Sequence, residues 1–210
     1  MSVSMIALAS EDFVPVLLTT CGVLQLYRRA GSRGVLVAAS LIGAGGFAKA
    51  TAKLIVALGG PDLPWLRGLL FPLLTLGFAL LYRTLVRRAI GRTPRWLAVS
   101  APVLVAVCAL AALWAADPLP MLVSTTVFAT ATGVHLILLA RRQRDTTAAV
   151  LIGIQLAAFF VLGPLGARPG QTVALQWAEQ LCNTAAQAAF LAATRRLSTG
   201  PVGATGPAPA

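Results

Sequence analysis

Acidic side chains are scarce in this chain and histidine is nearly missing, with six Asp and Glu and one His in 210 residues. A single histidine excludes a zinc site of the ordinary kind. The three cysteines, Cys21, Cys108 and Cys182, lie on three different apolar runs with no paired spacing. They read as small packing residues inside the protein, not as disulfides or metal ligands, and no metal or cofactor is expected. Charged residues of either sign make up only 11%, against about 25% in soluble domains. So little charge leaves no surface to face water. Motifs that announce chemistry are missing too: no aspartate-rich prenyl-diphosphate motif, serine nucleophile elbow, phosphate-cradling loop or HExxH occurs.

What the chain has instead is apolar length. Seven runs, at about 10–27, 34–58, 65–82, 96–116, 119–140, 146–167 and 172–194, are each long enough, or nearly so, for a bilayer crossing of about 20 residues. The expectation is an all-α integral membrane protein, a bundle of seven transmembrane helices forming one domain over residues 1–197. Residues 198–210, STGPVGATGPAPA, are small and aperiodic, and read as a disordered tail.

The net charge of +11 would suggest nucleic acid in a soluble protein, but here it follows the connections. Arg28, Arg29 and Arg33 follow the first run; Arg83, Arg87, Arg88, Arg92 and Arg95 the third; Arg141, Arg142 and Arg144 the fifth; Arg195 and Arg196 the seventh. The opposite side carries Arg67 and Arg168. This bias predicts a multi-pass protein of the cell membrane with its N-terminus outside and its C-terminus in the cytoplasm. The lipid bilayer is then the partner, and nucleic acid is not.

Lys49 and Lys53 are the two basic residues that lie within a run. An ionised lysine deep in a span costs on the order of 2.5–3.5 kcal/mol, so each needs compensation. Four residues apart, they share one helix face, in a stretch, GAGGFAKATAKL, whose small residues allow close helix approach. Counted back from Leu58, they lie about 14 and 8 Å below the outer boundary. Glu179 on the seventh run lies about 10 Å deep from the same side. With Gln176, Gln180, Asn183 and Gln187 it forms a polar stripe, expected to face the bundle interior. Glu179 is therefore the expected partner of one lysine. Two lysines against one carboxylate leave a positive excess, which suits a carboxylate or phosphate ligand.

Glu11 and Asp12 have two readings. A first helix starting at Ser10, a residue of N-cap type, makes them solvated first-turn acids, and this start is the favoured one. A start near Ser4 carries them about 10 Å deep, level with the lysines. His135 and Gln155 read as packing groups between helices, and Pro15, Pro72, Pro102 and Pro164 as sites of kinks.

The layout resembles retinal-binding seven-helix proteins in topology only, because the seventh run has no lysine for a Schiff base. It is similar in topology to small sugar transporters of a three-plus-one-plus-three type, whose proline-glutamine signature is missing here. The leading functional expectation is binding or transport of a small anionic or amphipathic, lipid-like molecule at Lys49, Lys53, Glu179 and Asn183. The alternatives are an intramembrane enzyme on a lipid or isoprenoid, such as a terpene cyclase, with Glu179, Glu11 or Asp12 as general acid, and an accessory scaffold subunit.

Overall fold

A computed structural model describes residues 3–166 and 172–199. Arg168 and residues 200–210, most of the expected tail, lie outside them, as does the side chain of Pro164. The described residues form nine helices and no strand. They are α1 (Val3–Glu11), α2 (Phe13–Ala30), α3 (Arg33–Ala57), α4 (Pro64–Gly68), α5 (Leu70–Ile90), α6 (Arg95–Ala115), α7 (Leu119–Arg142), α8 (Thr146–Gly166) and α9 (Val173–Thr199).

Two of the breaks have one cause. Pro15 offers no N–H to the Glu11 carbonyl four residues back, and its ring crowds that oxygen. Accordingly α1 stops at Glu11, Asp12 is a one-residue turn, and α2 starts at Phe13. Pro72 acts on Gly68 in the same way: α4 stops there, Leu69 is the turn, and α5 starts at Leu70. Pro102 sits inside α6 without interrupting it.

Five helical stretches are long and apolar enough to cross a membrane: Met5–Ala30, Arg33–Ala57, Pro64–Ile90, Arg95–Ala115 and Leu119–Arg142. The apolar part of α8, Thr146–Leu162, is shorter, and α9 carries the polar stripe. The first helix starts at Val3, not at the expected Ser10. Ser10 caps nothing, because its hydroxyl donates to the Ile6 carbonyl inside α1 at 2.9 Å. The residues before it, VSMIALA, are apolar and form helix without help from a cap. At the other end α9 runs on through Ser198 and Thr199, the first two residues of the expected tail.

The turn between α2 and α3 is built from two residues. Gly31, at a left-handed φ of 57°, ends α2 with its N–H on the Tyr27 carbonyl, and the Ser32 hydroxyl accepts from Gly34 N to start α3. The helices then pack in a closed ring, α2 to α3 to α5 to α7 to α8 to α9 and back to α2. α6 stands outside the ring, against α7 and, to a smaller extent, α5. Close packing of α2 on α3 depends on Gly46, where a Cβ would meet Val16 Cγ2 at 2.7 Å.

Packing is uneven along the bundle. The main core holds Leu26, Val35, Ile42, Leu81, Leu85, Leu136, Ile152, Phe190 and Leu197, all from the halves of their helices nearer the arginine-rich connections. That end is also latched by polar contacts. Arg29 Nη1 donates to the Leu197 carbonyl at 2.8 Å, the side-chain amide of Gln143 lies against the Arg29 guanidinium, and Arg196 Nε donates to Asp145 Oδ2 at 3.0 Å. The lysines lie in the opposite, looser half.

Candidate functional site

The Pro15 break places two consecutive carboxylates at one bend, and they turn to different neighbours. Asp12 Oδ2 lies 2.6 Å from Lys53 Nζ on α3, with the side chains 15% and 42% exposed. Glu11 Oε1 accepts a short hydrogen bond from Thr184 Oγ1 on α9. Glu11 Oε2 is buried and has no hydrogen-bond partner among the described residues. The rings of Phe13 and Phe47, 5.9 Å apart, form an apolar flank beside the ion pair.

These contacts correct the expected pairing. Among the described residues the carboxylate paired with Lys53 is that of Asp12 and not the expected Glu179. Glu11 and Asp12 are not solvated first-turn acids, because α1 extends eight residues ahead of Glu11 and carries both to the level of the lysines. The charge count changes with them. Asp12 offsets Lys53, and Lys49 is the ammonium that stands without an ion pair among the described residues.

Lys49 is one turn from Lys53 and makes no ion pair or hydrogen bond among the described residues, although it shares the field of Asp12. Its position on α3 is informative. Ala38, Ile42 and Gly45 form a buried stripe toward α5, where Gly77 closes on Ile42 and Gly45 on Leu70 and Leu73. Lys49 continues that stripe one turn further, yet it is exposed. The packing of α3 on α5 therefore loosens at Lys49.

The α9 stripe faces inward, as expected. Gln176, Glu179, Gln180, Asn183 and Gln187 are part-buried, whereas Ala178, Leu181, Cys182 and Ala185 on the other face are exposed. Gln187 Nε2 donates to Asn183 Oδ1 at 3.4 Å, and the Thr19 hydroxyl of α2 lies 2.9 Å from Gln187 Oε1. A polar seam therefore runs from Thr19, Gln187 and Asn183 up to Thr184 and Glu11. Thr19 and Thr184 carry no signal in the sequence, because a threonine in a span usually bonds to its own helix.

A second polar group is fully internal. Thr75 of α5 lies 2.7 Å from Thr125 Oγ1 and 3.1 Å from Ser124 Oγ of α7, and all three are buried. It binds two ring helices together, as interhelical hydroxyls do. His135 is part-buried with its ring edge-on to Tyr82, centroids 6.3 Å apart, a packing contact as expected. Cys108 is buried, but Cys21 and Cys182 are exposed on the outer surface of the bundle, against the expectation for those two.

A cavity of about 370 Å³ lies elsewhere, beside the Pro72 break between α5, α6 and α7. Phe71, Pro72, Ala109, Leu113 and Met121 line it, and no member of the polar cluster does. Its Asp117 is engaged in the local turn, accepting from Leu119 N at 2.8 Å. Among the described residues no group of His, Cys, Asp and Glu is arranged to hold a metal ion. No protein-family model matches this chain, and neither a curated protein nor a solved structure matches it.

Proposed function

We propose that the chain is a seven-span protein of the cell membrane, N-terminus outside and C-terminus cytoplasmic, whose outer half takes up a small anionic or amphipathic molecule for binding or transport. Arginine bias supports the orientation. Tryptophan spacing supports the crossing: Trp96 and Trp114 are 62% and 95% exposed at the two ends of α6, about 27 Å apart along the axis. That span matches a hydrocarbon layer of about 30 Å with an aromatic residue at each interface.

The observation that carries the functional reading is the exposure of Lys49 on an inward stripe, beside the Lys53–Asp12 pair. An ammonium held inside a span without an ion pair needs water or a ligand to offset its desolvation. With Lys53 taken by Asp12, Lys49 is the cation left to meet a carboxylate or phosphate, while Asn183 and Gln187 offer amides on the facing helix.

The test is side-specific labelling of Lys49→Cys, in a chain with Cys21 and Cys182 replaced by Ser, using a membrane-impermeant thiosulfonate on intact cells. Labelling from outside is expected. Labelling only after the cells are opened would reverse the orientation, and none from either side would remove the cavity. Ligand handling is then read from thermal shifts with a panel of small carboxylates, phosphates and lysolipids, where a true ligand stabilises the wild type and not Lys49→Met.

Glu11 supports a second reading, an intramembrane catalyst acting on a lipid or isoprenoid. General acid chemistry needs a carboxyl in apolar surroundings. Asp12 is paired with the Lys53 ammonium; Glu11 has a buried oxygen without a hydrogen-bond partner among the described residues. Incubation with polyprenyl diphosphates and lysophospholipids should then give product that Glu11→Gln abolishes, and a wild type that forms none sinks this reading.

A further inference from the structure

Between Asp62 and Asp117 the chain has no acidic residue, while Arg83, Arg87, Arg88, Arg92 and Arg95 crowd into the stretch that ends α5 and starts α6. All five are exposed. None makes an ion pair or a hydrogen bond among the described residues. Of the other arginines at this end, Arg29 is spent on the Leu197 carbonyl and Gln143 and Arg196 on Asp145, while the exposed Arg28, Arg33, Arg141, Arg142, Arg144 and Arg195 are spread over three other connections, none with more than three. Asp145 also caps α8 through the Ala148 N–H, so no acid near the α5–α6 turn is left to neutralise it.

The turn itself brings the charges together. Gly91, at a φ of 78°, ends α5 in the left-handed region that glycine adopts freely, and Pro94 sets the start of α6. Ile90 and Trp96 flank the arginines, 61% and 62% exposed. An exposed tryptophan and an isoleucine beside guanidinium groups suit the depth where acyl chains give way to headgroups. Guanidinium groups bind phosphate oxygens through two parallel N–H donors, and five of them fall between positions 83 and 95 without an acid among them.

We infer that the α5–α6 turn is a binding site for anionic phospholipid, favouring a lipid with two phosphates, whose headgroup the arginines clamp while Ile90 and Trp96 sit among its acyl chains. A water-soluble polyphosphate shares the headgroup chemistry but gains nothing from the two apolar side chains. This site is at the opposite end of the bundle from Lys49 and does not depend on the outer opening.

The test uses the full chain in neutral detergent micelles doped with diphosphatidylglycerol or with phosphatidylcholine, with retained lipid counted by native mass spectrometry. Arg87→Gln/Arg88→Gln/Arg92→Gln is compared with Arg141→Gln/Arg142→Gln/Arg144→Gln, which removes as much charge from the α7–α8 connection. Each basic group near the membrane surface is worth about 5-fold in affinity, so the first triple should hold diphosphatidylglycerol on the order of 100-fold more weakly. The second triple should keep most of its affinity, and phosphatidylcholine should not be retained. Equal retention by wild type and the first triple overturns the site. Equal loss in both triples overturns its location, and full displacement of the lipid by equimolar inorganic pyrophosphate makes the ligand a soluble phosphate. If the first triple is not monodisperse, the single variants replace it, each expected to lose about 5-fold.

Discussion

Lys53 Nζ and Asp12 Oδ2 lie 2.6 Å apart across the gap between α3 and the break that separates α1 from α2. The pair joins a cation deep in one helix to a carboxylate carried there by another, and both helices must hold their depth for it to form. Asp12 stands at the depth of Lys53 because α1 begins at Val3, and the Pro15 interruption leaves Asp12 as the single residue between α1 and α2. The single contact therefore reports the length of α1, the position of the break and the placement of α1 against α3.

Breaking this pair on one side should cost more than removing it. Asp12→Asn or Lys53→Met leaves one charge uncompensated, and each single variant should lose about 1–3 kcal/mol, between the values for exposed and buried pairs. The double variant should recover part of that loss. Thermal unfolding of the four proteins in one detergent forms the cycle, and additive losses would show that the two groups do not interact.

Acid should weaken the latch at the arginine-rich end. Asp145 lies in the connection between α7 and α8, where the Ala148 N–H, followed by the Arg196 side chain, holds its carboxyl below the ordinary carboxylate range. A depressed folded-state pKa means stability that is present above the unfolded pKa and lost as pH falls through the folded one. The midpoint difference between wild type and Asp145→Ala should be full at pH 7, on the order of 1 kcal/mol from the cap and little from the exposed Arg196. It should shrink below about pH 4. A difference that does not change with pH would assign the effect to shape and not to charge.

Pro15→Ala restores an N–H to the Glu11 carbonyl and should make α1 and α2 continuous. Straightening moves the Met5 end of α1 relative to α3. Spin labels at positions 5 and 56, both exposed, in a chain with Cys21 and Cys182 replaced by Ser, should shift by several ångströms. Lys53 should lose its partner at the same time, so Pro15→Ala and Lys53→Met should fail to add in stability. An unchanged label distance would place the cause of the break elsewhere.

Apolar length, the arginine bias and the presence of two lysines in the second apolar run are properties of residues along the chain, and the sequence by itself determined them. Each helix satisfies its own backbone hydrogen bonds, so its existence depends on local composition and not on its neighbours. The α9 stripe was legible for the same reason, because a four-residue period puts Glu179, Asn183 and Gln187 on one face whatever they meet. What they meet was decided in three dimensions. By depth Glu179 was the expected counter-ion, with Asp12 level with the lysines only if the first helix began near Ser4, and Asp12 took Lys53 because α1 packs on α3. The position of α6 outside the ring, the tight core at the arginine end and the exposure of Lys49 in the looser half likewise depend on which helices are adjacent. Adjacency is set by the summed packing of small and large side chains from several helices at once, such as Gly46 on Val16 and Ile42 on Gly77, and no single stretch of the sequence contains both sides of such a contact.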